Sequence, residues 1–198
     1  MRRVRAASLA LPLSMSMSMS MLTLLSLSGC AMLAGTPEVA QRGIDGVACV
    51  GEAAAGGPGL IESSNPALLA RAAAATGAGG VCAAKVFAVS APVVVYRVFD
   101  AAHPRSKFGS WWSLARPSGT RDDYRATYAI CPEWSSLDRV VACELRPGSQ
   151  VVIGTTQSAV CADGSAYAKS AANQVFIAND GKAGIVHVGA CSEDADWP

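Results

Sequence analysis

Of seven cysteines in the 198-residue chain, six, Cys49, Cys82, Cys131, Cys143, Cys161 and Cys191, follow the N-terminal segment that ends in Cys30, and no two of them form a CxxC pair. An even set of this kind either forms disulfides or holds a metal, and the rest of the sequence decides between the two. Only His103 and His187 are present to complete a zinc site, so no metal is expected. The chain begins with Arg2, Arg3 and Arg5, followed by an apolar stretch from Leu9 to Leu27 that carries no charge. That order is the pattern of an export signal. An exported chain folds under oxidising conditions, so the six cysteines read as three disulfides stapling a small domain. Sequence order suggests Cys49 with Cys82, Cys131 with Cys143, and Cys161 with Cys191.

The apolar stretch is diluted by the alternation SMSMSMSM, which makes it a weaker membrane anchor than an uninterrupted run would be. It ends in Leu27, Ser28, Gly29 and Cys30. LSGC resembles the bacterial lipobox, in which cleavage frees the cysteine for acylation. Residues 1–29 are therefore expected to be a lipoprotein signal peptide, with Cys30 the lipidated first residue of the mature chain. The resemblance implies a bacterial envelope location and a membrane contact through the lipid. Ala31 rather than Asp follows the cysteine, which points to the outer membrane in a host with two.

The expected signal carries three arginines and no acid, so the remainder holds 13 basic against 15 acidic residues. Nucleic acid is therefore not the expected partner of a net negative chain without a basic run. From Ala31 to Gly59 the composition is rich in Gly, Ala and Pro, as in a tether. Asn65 and Pro66 mark the start of a helix through ALLARAAAA. Residues 30–80 are thus read as anchor, tether and helix, and 81–198 as the functional domain.

Within that domain the run APVVVYRVF, residues 91–99, predicts a buried strand. Thr120 and Asp123 have capping-box spacing, which predicts a helix over 121–130. RVVACELR and SQVVIG predict two strands separated by a turn at Pro147 and Gly148. NQVFIA and KAGIVHV flank Asn179, Asp180 and Gly181, the signature of a hairpin. The expected class is α+β, mostly β, with one or two helices.

The sequence has no GxSxG elbow, no Walker loop and no GxGxxG stretch. Its notable block runs from Val95 to Ile177. VYR ends a strand, FGSWWSL (108–114) and PSGT (117–120) come after it, then ELRPGSQVVIG, and NQVFI closes the block. This order resembles the ADP-ribosyltransferase superfamily of NAD-consuming enzymes. FGSWWSLARPSGTRDDYR is also similar to the start of NAD glycohydrolases of the tuberculosis necrotizing toxin type.

The resemblance implies an ADP-ribosyltransferase-like fold with NAD as substrate and no other cofactor, and allows a protein target. It assigns Arg97 and Gln174 to catalysis, and Ser110, Trp111, Trp112 and Arg125 to substrate. Arg97 would clamp phosphate or ribose through its planar fork, the alternative being a pair with Asp100 or with an acid on a neighbouring strand. Neighbouring residues of a strand face opposite ways, so one of the two tryptophans at most can stack on nicotinamide while the other is core. Gln174 stands where the superfamily usually has glutamate. It can hold the ribose 2′-hydroxyl but offers no negative charge; because the necrotizing toxin type also relies on a glutamine, the resemblance favours glycohydrolase over transferase and equally allows lost activity. Arg121, the polar run Thr155 to Ser158, and the bases Asp100, His103, Asp123 and Glu144 are lesser candidates. A second reading is a non-catalytic envelope lipoprotein, a protein-binding or toxin-immunity module. A glycan hydrolase using the carboxylates is a third.

Overall fold

A computed structural model describes residues 41–198. The expected signal peptide, Cys30 and the first part of the expected tether lie outside the described residues. Eleven strands and two α-helices are formed among the described residues, and the class is α+β, mostly β. Among them no helix is long and apolar enough to cross a membrane.

The first elements are β1 (Leu60–Ser63), α1 (Pro66–Ala73), β2 (Val81–Val89) and β3 (Val93–Phe99). Asn65 starts α1 as expected: its side-chain oxygen accepts from Leu68 N at 3.0 Å. Next come β4 (Trp111–Ser113), α2 (Arg121–Tyr128), β5 (Arg139–Leu145) and β6 (Gln150–Thr156). The capping box at α2 is complete, with Asp123 N donating to the Thr120 hydroxyl and Thr120 N to the Asp123 carboxylate. The last strands are β7 (Ala159–Val160), β8 (Ala166–Tyr167), β9 (Ser170–Ile177), β10 (Val188–Gly189) and β11 (Ala195–Asp196).

One antiparallel sheet runs in the order β1-β2-β6-β9-β4-β3-β5-β10, with β11 also on β5, and β7 and β8 form a separate hairpin. Its centre is covered on both faces. Val151 and Ile153 of β6 join a core with Val95, Phe99, Trp112 and Val175, while Val152 faces Leu68, Ala72 and Phe176 under α1. This alternation is why β6 reads as a continuous apolar run. Burying a large side chain here contributes about 2 kcal/mol.

β3 and β4 share a single residue pair, Tyr96 with Ser113, and beyond it the strands part. The gap between them is bridged by a side chain, that of Arg97, which donates to the main chain of Trp111.

Three expectations are corrected. Residues 41–80 are not outside the domain: β1 completes the sheet beside β2, α1 packs on it, and Cys49 is bonded to Cys82. The segments around Asn179–Gly181 do not form a hairpin, because both edges of β9 are taken by β6 and β4, and β10 pairs with β5 instead. Two of the three disulfides are Cys131–Cys161 and Cys143–Cys191, and only Cys49–Cys82 follows sequence order. The pairing of Glu144 with Gly189 lays the last segment along β5, which delivers Cys191 to Cys143 and leaves Cys131 for Cys161.

Candidate functional site

On the sheet face that carries α1, a cleft of about 450 Å³ opens where β3 and β4 part. Its floor is Arg97 and Val98 of β3, Trp111 of β4 and Gln174 of β9. One wall is the loop Ala78–Gly80 and the other is formed by Tyr128–Ile130 and Trp134–Leu137. Gly80 has φ +90°, and a Cβ on it would lie 2.7 Å from the Ala72 carbonyl, so glycine alone lets this loop turn under the end of α1.

Arg97 fills the opening between the strands. Its Nε donates to the Ser106 carbonyl at 2.6 Å, and its Nη1 donates to the Trp111 carbonyl, taking the acceptor that a continued ladder would have used. Gly109 lies against the guanidinium, where a Cβ would approach Nη2 to 2.3 Å. Nη2 has no protein partner among the described residues, and no described carboxylate pairs with this arginine. The expected alternative of a pair with Asp100 is not formed, because Asp100 bonds His103 at 2.9 Å. Desolvation pushes the Arg97 pKa down to about 10, which leaves it cationic at neutral pH.

Gln174 is only 6% exposed and pairs across the sheet with Ser113 and Gly154. Its Nε2 donates to the Gly80 carbonyl, which orients the amide, and its Oε1 accepts from no described residue. Ser113, beside it, donates to the Ala115 carbonyl at 2.8 Å. Trp111 packs against Phe176 with ring centroids 5.0 Å apart and presents itself to the cleft.

The other expected residues are used differently. Trp112 is 2% exposed on the opposite face, in the core, with its Nε1 donating to the Gly109 carbonyl at 2.7 Å. Ser110 does not line the cleft, and its hydroxyl reaches only the Asn179 carbonyl, at 3.5 Å. Arg125 is buried and donates to the carbonyls of Cys131 at 3.2 Å and Ser135 at 2.6 Å, so it holds the cleft wall together instead of meeting a phosphate. Arg121 donates to the Trp197 carbonyl, and Thr155 and Thr156 are buried in ladder and loop bonds. Asp100, Asp123 and Glu144 do not line this cleft, and among the described residues no carboxylate does.

Trp134, 46% exposed on the rim, and Tyr128 were not singled out by sequence, since neither stands in a recognisable motif. Cys131, Glu133 and Cys161 lie close enough to hold an ion, but both sulfurs are bonded to each other.

The fold and the site together define a disulfide-stapled, mostly β domain with a cationic and aromatic cleft. No family model matches the chain, and no curated protein sequence matches it. A chain of the structure of Tne2 in complex with Tni2 is similar at a TM-score of 0.44 and 13% identity, covering 63% of this chain and 98% of that one. So slight a likeness bears on neither fold nor function.

Proposed function

We propose that this chain is an exported bacterial lipoprotein, anchored through Cys30, whose domain is of ADP-ribosyltransferase-like type and cleaves NAD, as a glycohydrolase rather than a transferase. The observation that carries the reading is the meeting of Arg97, Trp111 and Gln174, far apart in sequence, in one cleft. Its volume suits the nicotinamide riboside end of a dinucleotide.

In this reading the bond between nicotinamide and ribose breaks, the electron pair leaves with nicotinamide, and water adds to the oxocarbenium-like ribose with loss of a proton. The residues act by holding the substrate. Arg97 lines the cleft, and its Nη2, which has no partner among the described residues, offers a charge-assisted bond to a phosphate oxygen. Gln174 Oε1 accepts from a ribose hydroxyl, in an orientation set by the bond from Nε2 to Gly80. Trp111, Tyr128 and Trp134 provide aromatic faces for a planar cationic ring.

The test is release of nicotinamide from NAD by the oxidised protein, compared with Arg97→Lys and Gln174→Ala variants of unchanged fold. Turnover by wild type and a loss of at least about a hundredfold in both variants supports the reading. If wild type neither binds nor cleaves NAD, the protein is better described as a non-catalytic binding lipoprotein. Incorporation of a palmitate analogue that disappears in Cys30→Ser tests the anchor separately.

A further inference from the structure

Three aliphatic side chains are exposed in one short loop at the start of the described chain. Ile44, Val47 and Val50 are 51%, 59% and 45% exposed. The other exposed large apolar residues among those described, Ile61, Val94, Trp134, Val160 and Ile185, fall singly along the chain. Isolated apolar residues on a surface are ordinary, whereas a local concentration of them marks a contact.

The polar groups of this loop are satisfied within the protein. Gly46 N donates to the Gly43 carbonyl and Gly43 N to the Val47 carbonyl, both at 2.9 Å, and Cys49 N donates to the Gln41 carbonyl at 2.8 Å. Arg42 Nη1 donates to the Gly46 carbonyl at 2.8 Å. Asp45 is the only acid between Gln41 and Gly51, and it pairs with Lys169, whose Nζ also donates to the carbonyls of Val47 at 2.8 Å and Ala48 at 3.3 Å. The side chains of Lys169 and Asp45 are 8% and 18% exposed, so the charged pair is withdrawn from solvent while the aliphatic groups are not. The Cys49–Cys82 disulfide ties the loop to β2. Backbone groups that already have protein partners can leave water, which is the condition for entering hydrocarbon. Arg42 is exposed and forms no ion pair among the described residues, which puts an uncompensated cation where an anionic headgroup would meet it.

The place of the loop in the chain names the surface. Only residues 31–40 separate Gln41 from Cys30, the expected site of the lipid. Ten residues reach at most about 35 Å even when fully extended. Resting on the reading of Cys30 as acylated, we infer that the loop Gly43–Val50 is a second membrane contact, with Ile44, Val47 and Val50 entering the bilayer that holds the lipid. Lipid and loop together make a two-point attachment, which fixes how the domain is turned on the membrane.

The experiment uses the chain expressed with its own N-terminus, purified in detergent from bacterial cells and reconstituted with phosphatidylethanolamine–phosphatidylglycerol vesicles whose acyl chains are brominated. Tryptophan is introduced by Val47→Trp, by Ile44→Trp and, as an exposed control, by Ile185→Trp, and quenching of the added emission is read against wild type. Quenching at positions 44 and 47 is expected to be at least about threefold stronger than at 185. Mass analysis of the N-terminal peptide reports the lipid on Cys30 independently. In acylated protein, equal quenching at all three positions, or none at 44 and 47, overturns the inference while the anchor stands, and leaves the loop to a protein partner or a second copy. A lipid-free chain that is strongly quenched at 44 and 47 keeps the loop contact and removes the anchor. A lipid-free chain that does not join the vesicles overturns both.

Discussion

Gln174 and Gly80 lie 94 residues apart, and the side-chain amide of the first donates to the main-chain carbonyl of the second. A strand in the middle of the sheet thereby holds the loop that walls the cleft. The Gly80 carbonyl also accepts from Gln157 N at 2.9 Å, so it is not orphaned when Gln174 is replaced. Gln174→Leu is accordingly expected to cost only about 1 kcal/mol of stability. It should, however, speed amide exchange in residues 78–80. Unchanged exchange there would show that the loop is held by other means.

The Cys131–Cys161 disulfide joins the other cleft wall to β7, and β7 in turn bridges Ala78 through Ala159. Both rims therefore depend on one covalent bond. Sequence separations of 30, 33 and 48 residues make the three disulfides comparable in chain entropy, about 4 kcal/mol each. Replacing both cysteines of any one pair by alanine should lower stability by similar amounts. Only loss of Cys131–Cys161 should also redshift Trp134 fluorescence and weaken whatever the cleft binds. An equal effect from Cys143–Cys191 would refute this assignment.

Gly154 stands opposite Gln174, where β6 passes the irregular stretch of β2. A Cβ at this position would lie 2.5 Å from both the Ala83 carbonyl oxygen and the Ala84 Cβ, neither of which can swing away. Gly154→Ala is expected to destabilise the protein by at least about 2 kcal/mol, measured by urea unfolding. A variant as stable as wild type would mean that β2 and β6 separate more readily than their register implies.

Asp45 accepts from Lys169 Nζ at 2.8 Å, and the lysine also donates to the Val47 carbonyl at 2.8 Å. The hydrogen bond from Lys169 holds the Asp45 pKa below its usual value. A carboxylate depressed in the folded state adds stability above its unfolded pKa, and that stability is lost as pH falls through the lower folded value. The contribution should therefore be constant near neutrality and fade below about pH 4. Asp45→Asn should flatten this acid limb in unfolding curves taken from about pH 3 to 7. If the limb keeps its slope, other depressed carboxylates such as Asp194 carry it.

Several of these features were legible in the chain. The Thr120–Asp123 box, the Asn65–Pro66 helix start and the strand through Val95 all form where local chemistry places them, because each depends on residues within one turn or one strand. The division of labour between Trp111 and Trp112 was foreseeable from strand alternation, but which of them faces the cleft was not. The resemblance gives Arg125 to the substrate, yet α2 ends in a loop whose carbonyls fold back on it. The hairpin signal at Asn179–Gly181 makes only a local turn, closed by the bridge of Asp180 with Ile185.

The amino-acid sequence alone determined the mostly β class, the helix caps, the use of the cysteines from Cys49 onward as disulfides, and the absence of standard catalytic motifs. Tertiary structure decided which cysteines bond, which strands are neighbours, and that Arg97, Trp111 and Gln174 share a cleft while Ser110, Trp112 and Arg125 do not line it. The reason is physical. Caps and strand periods are set by residues a few positions apart, whereas strand order and side-chain meeting depend on how apolar faces compete for burial across the whole sheet.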